Sequence, residues 1–591
     1  MALSTIEQIY QCIDTKKSFV LDAGAGSGKT WSLIESLKYI IKNNGEKFNR
    51  NNQKIVCITY TNVAKNEIIE RLENNELVMV STIHDFLWNC ISQFKKELKI
   101  KLIEKIEGKI VKVQSELDKS KSKKGVTFDK NLEKKEKLES SKNELILTKN
   151  TTQYKNYFSY KNNIISHDEV IELSSSIFSS YPTIRKIVAD SYPIIFVDEY
   201  QDTFPKIINI LLDYLLPTNK ILFGFYGDKM QKIYDTGIGE IPLTYNLKRI
   251  TKSENYRCSV SVVNLLNKIR NDITQIPSGE NKNITGSCSF YQNTDINFKL
   301  DYFISHELKN KCKLENDSHN LKVLYLTHKL IAKENKYEEL YNLVNASGKS
   351  DALTKKDEDR CPFIKFLYQI ENVALLYKEN KIQSLLKRIN FEINSFEDKK
   401  ALRDIMNKLL EMRMTSLEKL QKLKWSCDKV QLTMINYHYH YIKFCKNFFI
   451  QDVYEFVLDK KLFQISQKIS DFDLEDGNNS TYYNGLMKRP YKEIIQSNKV
   501  ADEQTPFSTK HGTKGAEFEN VLVVIDDDAW RNYSFDKYFS NDMTNENIYN
   551  RTKNLFYVVC SRAKTNLVVL SLSSLTQTSK QKIEQLFGEI K

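Results

Sequence analysis

Short, unbroken apolar runs set between polar and glycine-rich stretches dominate the pattern along this chain. Residues 18–21 (SFVL) predict a buried strand, and residues 31–41 behind it carry apolar side chains at helical spacing. Ile194-Ile195-Phe196 predicts another strand, and residues 321–326 (LKVLYL) and 520–525 (NVLVVI) two more. Strands buried on both faces read as continuous hydrophobic runs, so the pattern predicts parallel sheets covered by helices, an α/β fold. Ile100, Ile103, Ile106 and Ile110 recur every three to four residues, and Leu132, Leu138 and Leu145 mark a second periodic stretch. The break between them at residues 120–127, with Gly125, predicts a long helical hairpin. Residues 335–500 are aromatic-rich and helical in flavour, without an internal repeat. No apolar run approaches the ~18 residues of a membrane span.

Composition narrows the class. With 41% hydrophobic and 28% charged residues in a chain of 591, the sequence is too apolar for disorder and long enough for several domains. Its 18 glycines and 9 prolines fall well below an average usage of about 12%, which favours many helices over long flexible linkers. The formal charge of +13 suits a polyanionic partner. That charge is uneven, since residues 95–150 hold 17 lysines against 10 acids. A basic hairpin there could track a DNA backbone or dock a partner protein; the alternative is an ordinary solvated helix pair. Ten cysteines without a C-x-x-C pair, and an N-terminus without a signal-peptide apolar core, predict reduced thiols and a cytoplasmic protein with no membrane partner. Cys57 and Cys560 lie in apolar segments and are expected to be packing residues. His438-Tyr439-His440 has no third ligand in view, so a structural role is expected there rather than a metal.

Chemistry enters with residues 197–202, VDEYQD. They follow an apolar strand, which places Asp198 and Glu199 at the carboxyl edge of a sheet, where open α/β folds bind ligands. One acid there suits a magnesium ion, and the next suits orienting and deprotonating a water. Upstream, Ala23-Gly24-Ala25-Gly26-Ser27-Gly28-Lys29-Thr30 stands between a predicted strand and a predicted helix, the context of a phosphate-binding P-loop. Its backbone amides turn onto phosphate oxygens at a helix N-terminus. Lys29 can reach the β- and γ-phosphates, and the Thr30 hydroxyl can ligate Mg²⁺. The first glycine of the usual pattern is Ala23 here. Arg257 and Arg562 are candidates for neutralising charge on a transferring phosphoryl group, although nothing physical singles them out among 88 lysines and arginines.

Taken in order, these segments and five others resemble the motif series of superfamily 1A helicases, the UvrD, Rep and PcrA group. The series runs from Gln8 to Arg562, nearly the whole chain. Gln8, 21 residues before Lys29, resembles the glutamine that reads the adenine edge. Residues 59–67 (TYTNVAKNE) and 81–84 (STIH) resemble motifs that contact single-stranded DNA, which implies contacts from Tyr60, Asn62 and His84. Residues 227–234 (GDKMQKIY) resemble the segment coupling γ-phosphate to DNA, with Gln231 as sensor and Tyr234 on the strand. Asn255-Tyr256-Arg257 resembles the motif whose tyrosine stacks on adenine and whose arginine is a finger. Residues 509–518 (TKHGTKGAEF) resemble the motif whose glutamate, here Glu517, holds the ribose, and His511 falls with the DNA contacts. Arg562 falls on the second finger.

The resemblance implies two RecA-like P-loop NTPase domains with parallel sheets, each carrying a largely helical insertion, and ATP with Mg²⁺ in the cleft between them. On that pattern residues 1–94 and 186–255 form the first motor domain around an insertion at 95–185. Residues 256–334 and 501–591 form the second around an insertion at 335–500. Lys29, Thr30 and Asp198 then hold phosphate and metal, Glu199 activates water, and Arg257 and Arg562 stabilise the transferring charge. The implied activity is 3′→5′ movement on single-stranded DNA, with 3′-tailed duplex as a further substrate. Three departures qualify it. The arginine usual after the GKT is Trp31; the tryptophan usual after Ile233-Tyr234 is missing, the run being Asp235-Thr236-Gly237; and the duplex-gripping signatures of the insertions are not recognisable. Base–aromatic stacking contributes about 1–3 kcal/mol per base, so translocation is the safer expectation than processive unwinding. The alternative is a nucleotide-switched DNA sensor controlling a separate nuclease, as in anti-phage systems such as Gabija that pair UvrD-like proteins with nucleases.

Overall fold

The computed structural model describes residues 3–591 except 60–61, 121–124, 156–158, 161, 233–235, 296–297, 309–320, 326–327, 348–352, 354–360, 415–447, 464–468, 470–477, 503–506, 509–515 and 528–532. The chain forms two compact units. One comprises Met1–Ser287 with Met543–Thr565, the other Cys288–Asp542 with Asn566–Lys591. Residues 256–287 and 543–565, read from sequence as parts of a second motor domain, therefore pack with the P-loop unit.

The first unit is built on six strands: β1 (Phe19–Ala23), β2 (Ile55–Thr59), β3 (Val78–Thr82), β4 (Ile194–Asp198), β5 (Leu222–Gly227) and β6 (Lys248–Lys252). Their order is β3-β2-β4-β5-β1-β6, and every neighbouring pair is parallel. All positions of β2, β4 and β5 are buried, which is why those runs are unbroken in the sequence. Parallel pairing has a further consequence. The P-loop and residues 59–67, 81–84, 197–202, 227–234 and 255–257 each stand at or just after the end of one of these strands, so these motifs gather at the carboxyl edge of a single sheet; Gln8, residues 509–518 and Arg562 do not follow its strands.

Helix α1 (Thr5–Asp14) opens with a reciprocal Ser4–Glu7 capping box, and α2 (Lys29–Arg50) follows β1. The hairpin consists of α3 (Lys95–Asp118) and α4 (Val126–Leu147). Its seam on α3 is Leu98, Leu102, Ile106, Val113 and Leu117, with Ile103 and Ile110 partly buried. Ile100 is 38% exposed and Leu132 42%, so neither belongs to the seam that their spacing suggested. Several hairpin lysines serve the fold. Lys99 donates to the carbonyls of Ile146 and Thr148 at 3.0 and 2.9 Å, closing the C-terminus of α4. Lys105 pairs with Glu169 and Glu172, and Lys109 donates to the Tyr160 hydroxyl at 2.9 Å.

The second unit holds β7 (Ser287–Gln292), β8 (Leu321–Tyr325), β9 (Phe507–Ser508), β10 (Phe518–Ile525) and β11 (Ala563–Ser571), in the order β7-β11-β10-β8-β9. β8 runs parallel to both β9 and β10. From Glu338–Ala346 to Tyr491–Ala501 the described elements are helical, around a core that includes Phe363, Leu367, Leu409, Ile450 and Leu486. A buried Glu371–Arg413 ion pair lies within this helical region. Cys57 and Cys560 are fully buried and form no disulfide. His438 and His440 lie outside the described residues. Among the described residues no group of three or more potential ligands could hold a metal ion, and no helix is long and apolar enough to cross a membrane.

Candidate nucleotide site

The cradle forms where β1 gives way to α2. Gly26 and Gly28 both have positive φ, 72° and 77°, a region that glycine enters without the Cβ penalty. At Gly26 a Cβ would also stand 2.6 Å from the Cβ of Arg257, so the loop needs glycine there twice over. The Ser27 hydroxyl is buried and without a hydrogen-bond partner. The Lys29 side chain makes no hydrogen bond or ion pair to any described residue. A buried donor left open beside a lysine and a helix N-terminus fits a phosphate group.

The two acids stand at the end of β4. Asp198 is 8% exposed, and its Oδ1 accepts from the Glu199 amide at 3.0 Å. Glu199 adopts φ 50°, ψ 45°, a left-handed conformation uncommon outside glycine and enriched at functional sites. Its Oε2 accepts from the Gln201 carboxamide, whose Oε1 accepts from the Asp228 amide at 3.1 Å. Gln231 donates to Asp228 Oδ2 at 3.0 Å. The turn is pinned from outside by residues 237–239: the Gly239 amide donates to the Gln201 carbonyl at 2.9 Å, and a Cβ at Gly237 would collide with that carbonyl. The chain thus needs glycine just after the place where the family carries a tryptophan.

Arg257 and Arg562 lie in the same unit as the loop. Arg257 Nη1 donates to the Ser561 carbonyl at 3.3 Å. Arg562 is 1% exposed; its Nε donates to the Val558 carbonyl at 2.9 Å and its Nη2 to Ser561 Oγ at 3.0 Å. Burial, then the neighbouring Arg257 guanidinium, pull its pKa down to about 9, and the Glu199 carboxylate partly offsets this. Two guanidiniums near one carboxylate form a site that favours an incoming anion. Nearby, Tyr256 and Trp31 are about half exposed, and the buried Lys252 ammonium lies 5.2 Å from the Trp31 ring centroid and 5.9 Å from that of Tyr256. Burial lowers the Lys252 pKa. Gln8 is half-buried on α1, with its amide nitrogen donating to the Leu3 carbonyl at 3.0 Å. Glu517 belongs to the other unit, exposed just before β10.

Of the candidate DNA contacts, Tyr60, Tyr234 and His511 lie outside the described residues, as does the side chain of Asn62. His84 begins a helix, Ile83–Ile91, after β3, with its ring 4.9 Å from that of His167. Tyr154 joins the cluster, bonded to His167 Nδ1. Burial, then His167, lower the His84 pKa below its ordinary 6.5, against the pull of Asp85 and Asp168. The folded chain therefore takes up this proton less readily than the unfolded one. The stability tied to neutral His84 is present above about pH 6.5 and is lost as the pH falls below it. Thermal melting from neutral to mildly acidic pH is expected to fall less steeply in His84→Gln than in the parent; parallel curves would remove His84 from that dependence.

Sequence reasoning passed over four side chains that hold the loop. Asn255 Nδ2 and Gln275 Nε2 donate to the Ala25 carbonyl at 3.0 and 2.8 Å, and the Ala25 amide donates to the Tyr557 hydroxyl at 3.1 Å. Arg270 donates to the same hydroxyl at 2.6 Å and forms a fully buried ion pair with Asp228. Burial works against its charge, but Asp228, Tyr557 and Asp272 more than reverse this and raise its pKa. Asn255 falls inside the 255–257 motif and Tyr557 stands five residues before Arg562; Arg270 and Gln275 carry no local signal.

Known proteins resemble this chain along most of its length. Residues 4–249 match the UvrD/REP helicase N-terminal domain, and residues 460–574 the UvrD-like helicase C-terminal domain. The chain is 29% identical to Gabija protein GajB of Bacillus cereus (strain HuB5-5), over 99% of this chain and 97% of that protein. It is 23% identical to the ATP-dependent DNA helicase Rep of Buchnera aphidicola subsp. Schizaphis graminum, over 85% of this chain and 78% of Rep. With the ATP-dependent DNA helicase PcrA of Staphylococcus aureus it shares 25% identity, over 46% and 40% of the two chains. With both helicase domains matched and the motif series in order along the chain, this protein is an ATP-hydrolysing helicase of the UvrD/Rep family.

Proposed function

We propose that the protein is a motor that couples ATP hydrolysis to 3′→5′ movement on single-stranded DNA. The observation that carries this reading is the convergence of the P-loop, Asp198, Glu199, Arg257 and Arg562 within one compact unit. Lys29 and the loop amides bind the β- and γ-phosphates. Thr30 and Asp198 fit a magnesium ion, which would supply charge neutralisation on the phosphate oxygens. Glu199 orients a water and takes its proton, while Arg257 and Arg562 neutralise the charge that develops on the transferring group. Gln8 and Tyr256 are the residues for the base. Gln231, bonded to Asp228, reports the γ-phosphate to the strand-contacting residues Tyr60, Asn62, His84, Tyr234 and His511. The relatives named as DNA helicases, the +13 charge and the free thiols support DNA in the cytoplasm as the setting.

The test is ATP turnover with and without single-stranded DNA, followed by strand displacement on 3′-tailed and 5′-tailed duplexes. Stimulation by single strands is expected, with any displacement coming from the 3′ tail alone. A rate indifferent to DNA would sink the motor reading. A second reading is favoured by the near full-length likeness to GajB: a nucleotide-switched DNA sensor that controls a separate partner nuclease in anti-phage defence. DNA-dependent ATP binding and hydrolysis with neither movement along single strands nor strand displacement from either tail would favour it.

A further inference from the structure

The P-loop is held in shape by side chains, and they connect it to the water-activating acid through protein alone. Around the Ala25 peptide the hydrogen bonds close into a ring. The Ala25 amide donates to the Tyr557 hydroxyl at 3.1 Å, that hydroxyl donates to Gln275 Oε1 at 3.4 Å, and Gln275 Nε2 donates back to the Ala25 carbonyl at 2.8 Å. Tyr557 is fully buried, and Arg270 fixes the direction of its hydroxyl by donating Nη1 at 2.6 Å. The Arg270 guanidinium lies 5.0 Å from the Tyr557 ring centroid and is shared between Asp228 and Asp272. Asp228 also accepts from Gln231 and from the Met230 amide, and its own amide donates to Gln201, which holds Glu199. A continuous path of hydrogen bonds thus runs from Glu199 through Gln201, Asp228, Arg270 and Tyr557 to Ala25.

Buried polar networks that are fully satisfied are rigid, and losing one member leaves the others unpaired. We propose that Arg270, Tyr557 and Gln275 are positioning residues: they set the P-loop peptide that receives the phosphates and lock it to the position of Asp228 and Glu199. None of the three is assigned contact with nucleotide. They act through the Ala25 peptide, and the loop's affinity for ATP depends on them. The bidentate grip of Arg270 on Asp228, with a third contact to Tyr557, needs a planar fork that lysine cannot reproduce.

The inference rests on ATP binding at the P-loop, and the experiment separates the two. Full-length parent, Tyr557→Phe, Arg270→Lys and Lys29→Ala are compared by steady-state ATP hydrolysis and by thermal melting without nucleotide. Tyr557→Phe removes one oxygen and keeps the packing. It is expected to raise KM for ATP about three- to tenfold, the range of one lost hydrogen bond, with kcat changed less than twofold and melting little altered. Arg270→Lys should shift KM in the same direction, and in the double variant the two effects should fall short of multiplying, because both act through one hydroxyl. Unchanged KM in Tyr557→Phe would overturn the proposal. So would a loss of activity that merely follows a fall in melting temperature, since that is a structural role only. If Lys29→Ala hydrolyses ATP like the parent, the P-loop reading itself fails, whatever Tyr557→Phe does.

Discussion

Glu199→Gln is expected to stop ATP turnover while leaving ATP bound. Loss of a positioned general base lowers rates about 10²- to 10⁴-fold, so kcat should fall by roughly a thousandfold. The substitution is gentle to the fold. Gln201 donates its amide to Glu199 Oε2, and a glutamine at 199 still offers a carbonyl oxygen there. The left-handed backbone at this position is unaffected, since both side chains pay the same conformational cost. Affinity should hold or rise, because one negative charge is removed from beside the γ-phosphate. Single-turnover hydrolysis and equilibrium binding of a fluorescent ATP analogue check the two halves separately. Hydrolysis at the parent rate would mean that another group takes the proton.

Arg562→Gln carries the second large effect. Arginine fingers contribute about 10³- to 10⁵-fold to kcat, and a loss of at least 10³-fold at saturating ATP is expected here. Arg562 is fully buried beside Arg257, and its depressed pKa, about 9, expresses the cost of holding two like charges together out of water. On the proposed reading an incoming γ-phosphate would relieve that cost, so the pair would favour the bound and reacting states over the empty one. Removing Arg562 therefore takes away repulsion in the empty protein while forfeiting hydrogen bonds to Val558 and Ser561. The two changes oppose each other, and the melting temperature without nucleotide should move little while turnover collapses. A kcat reduced less than tenfold, measured at saturating ATP, would remove Arg562 from the finger role.

Much of the site was legible because parallel sheets simplify the reading. The central strands β2, β4 and β5 are unbroken apolar runs or nearly so, and chemistry-bearing residues follow within a few positions. Ala23 to Thr30 follow β1, and Asp198 with Glu199 closes β4. Local grammar sufficed there. It failed on the hairpin, where Ile100 fits a three-to-four spacing but faces solvent; the real seam starts from Leu98 and Leu102, which spacing alone could not prefer. It also passed over Arg270 and Gln275, since a buried arginine and an ordinary one look alike until the partner carboxylate is placed.

The sequence by itself determined the order of elements, the P-loop, the paired acids and the helicase family, because each depends on residues close together in the chain. Tertiary structure alone decided what holds these parts in register. Ala25 and Tyr557 are 532 positions apart, yet they share a hydrogen bond, and Arg270 meets Asp228 across 42. Contacts of that separation leave no periodicity to read. They exist only once the parallel sheet has brought its strand ends to one edge and burial has made every unpaired polar group costly.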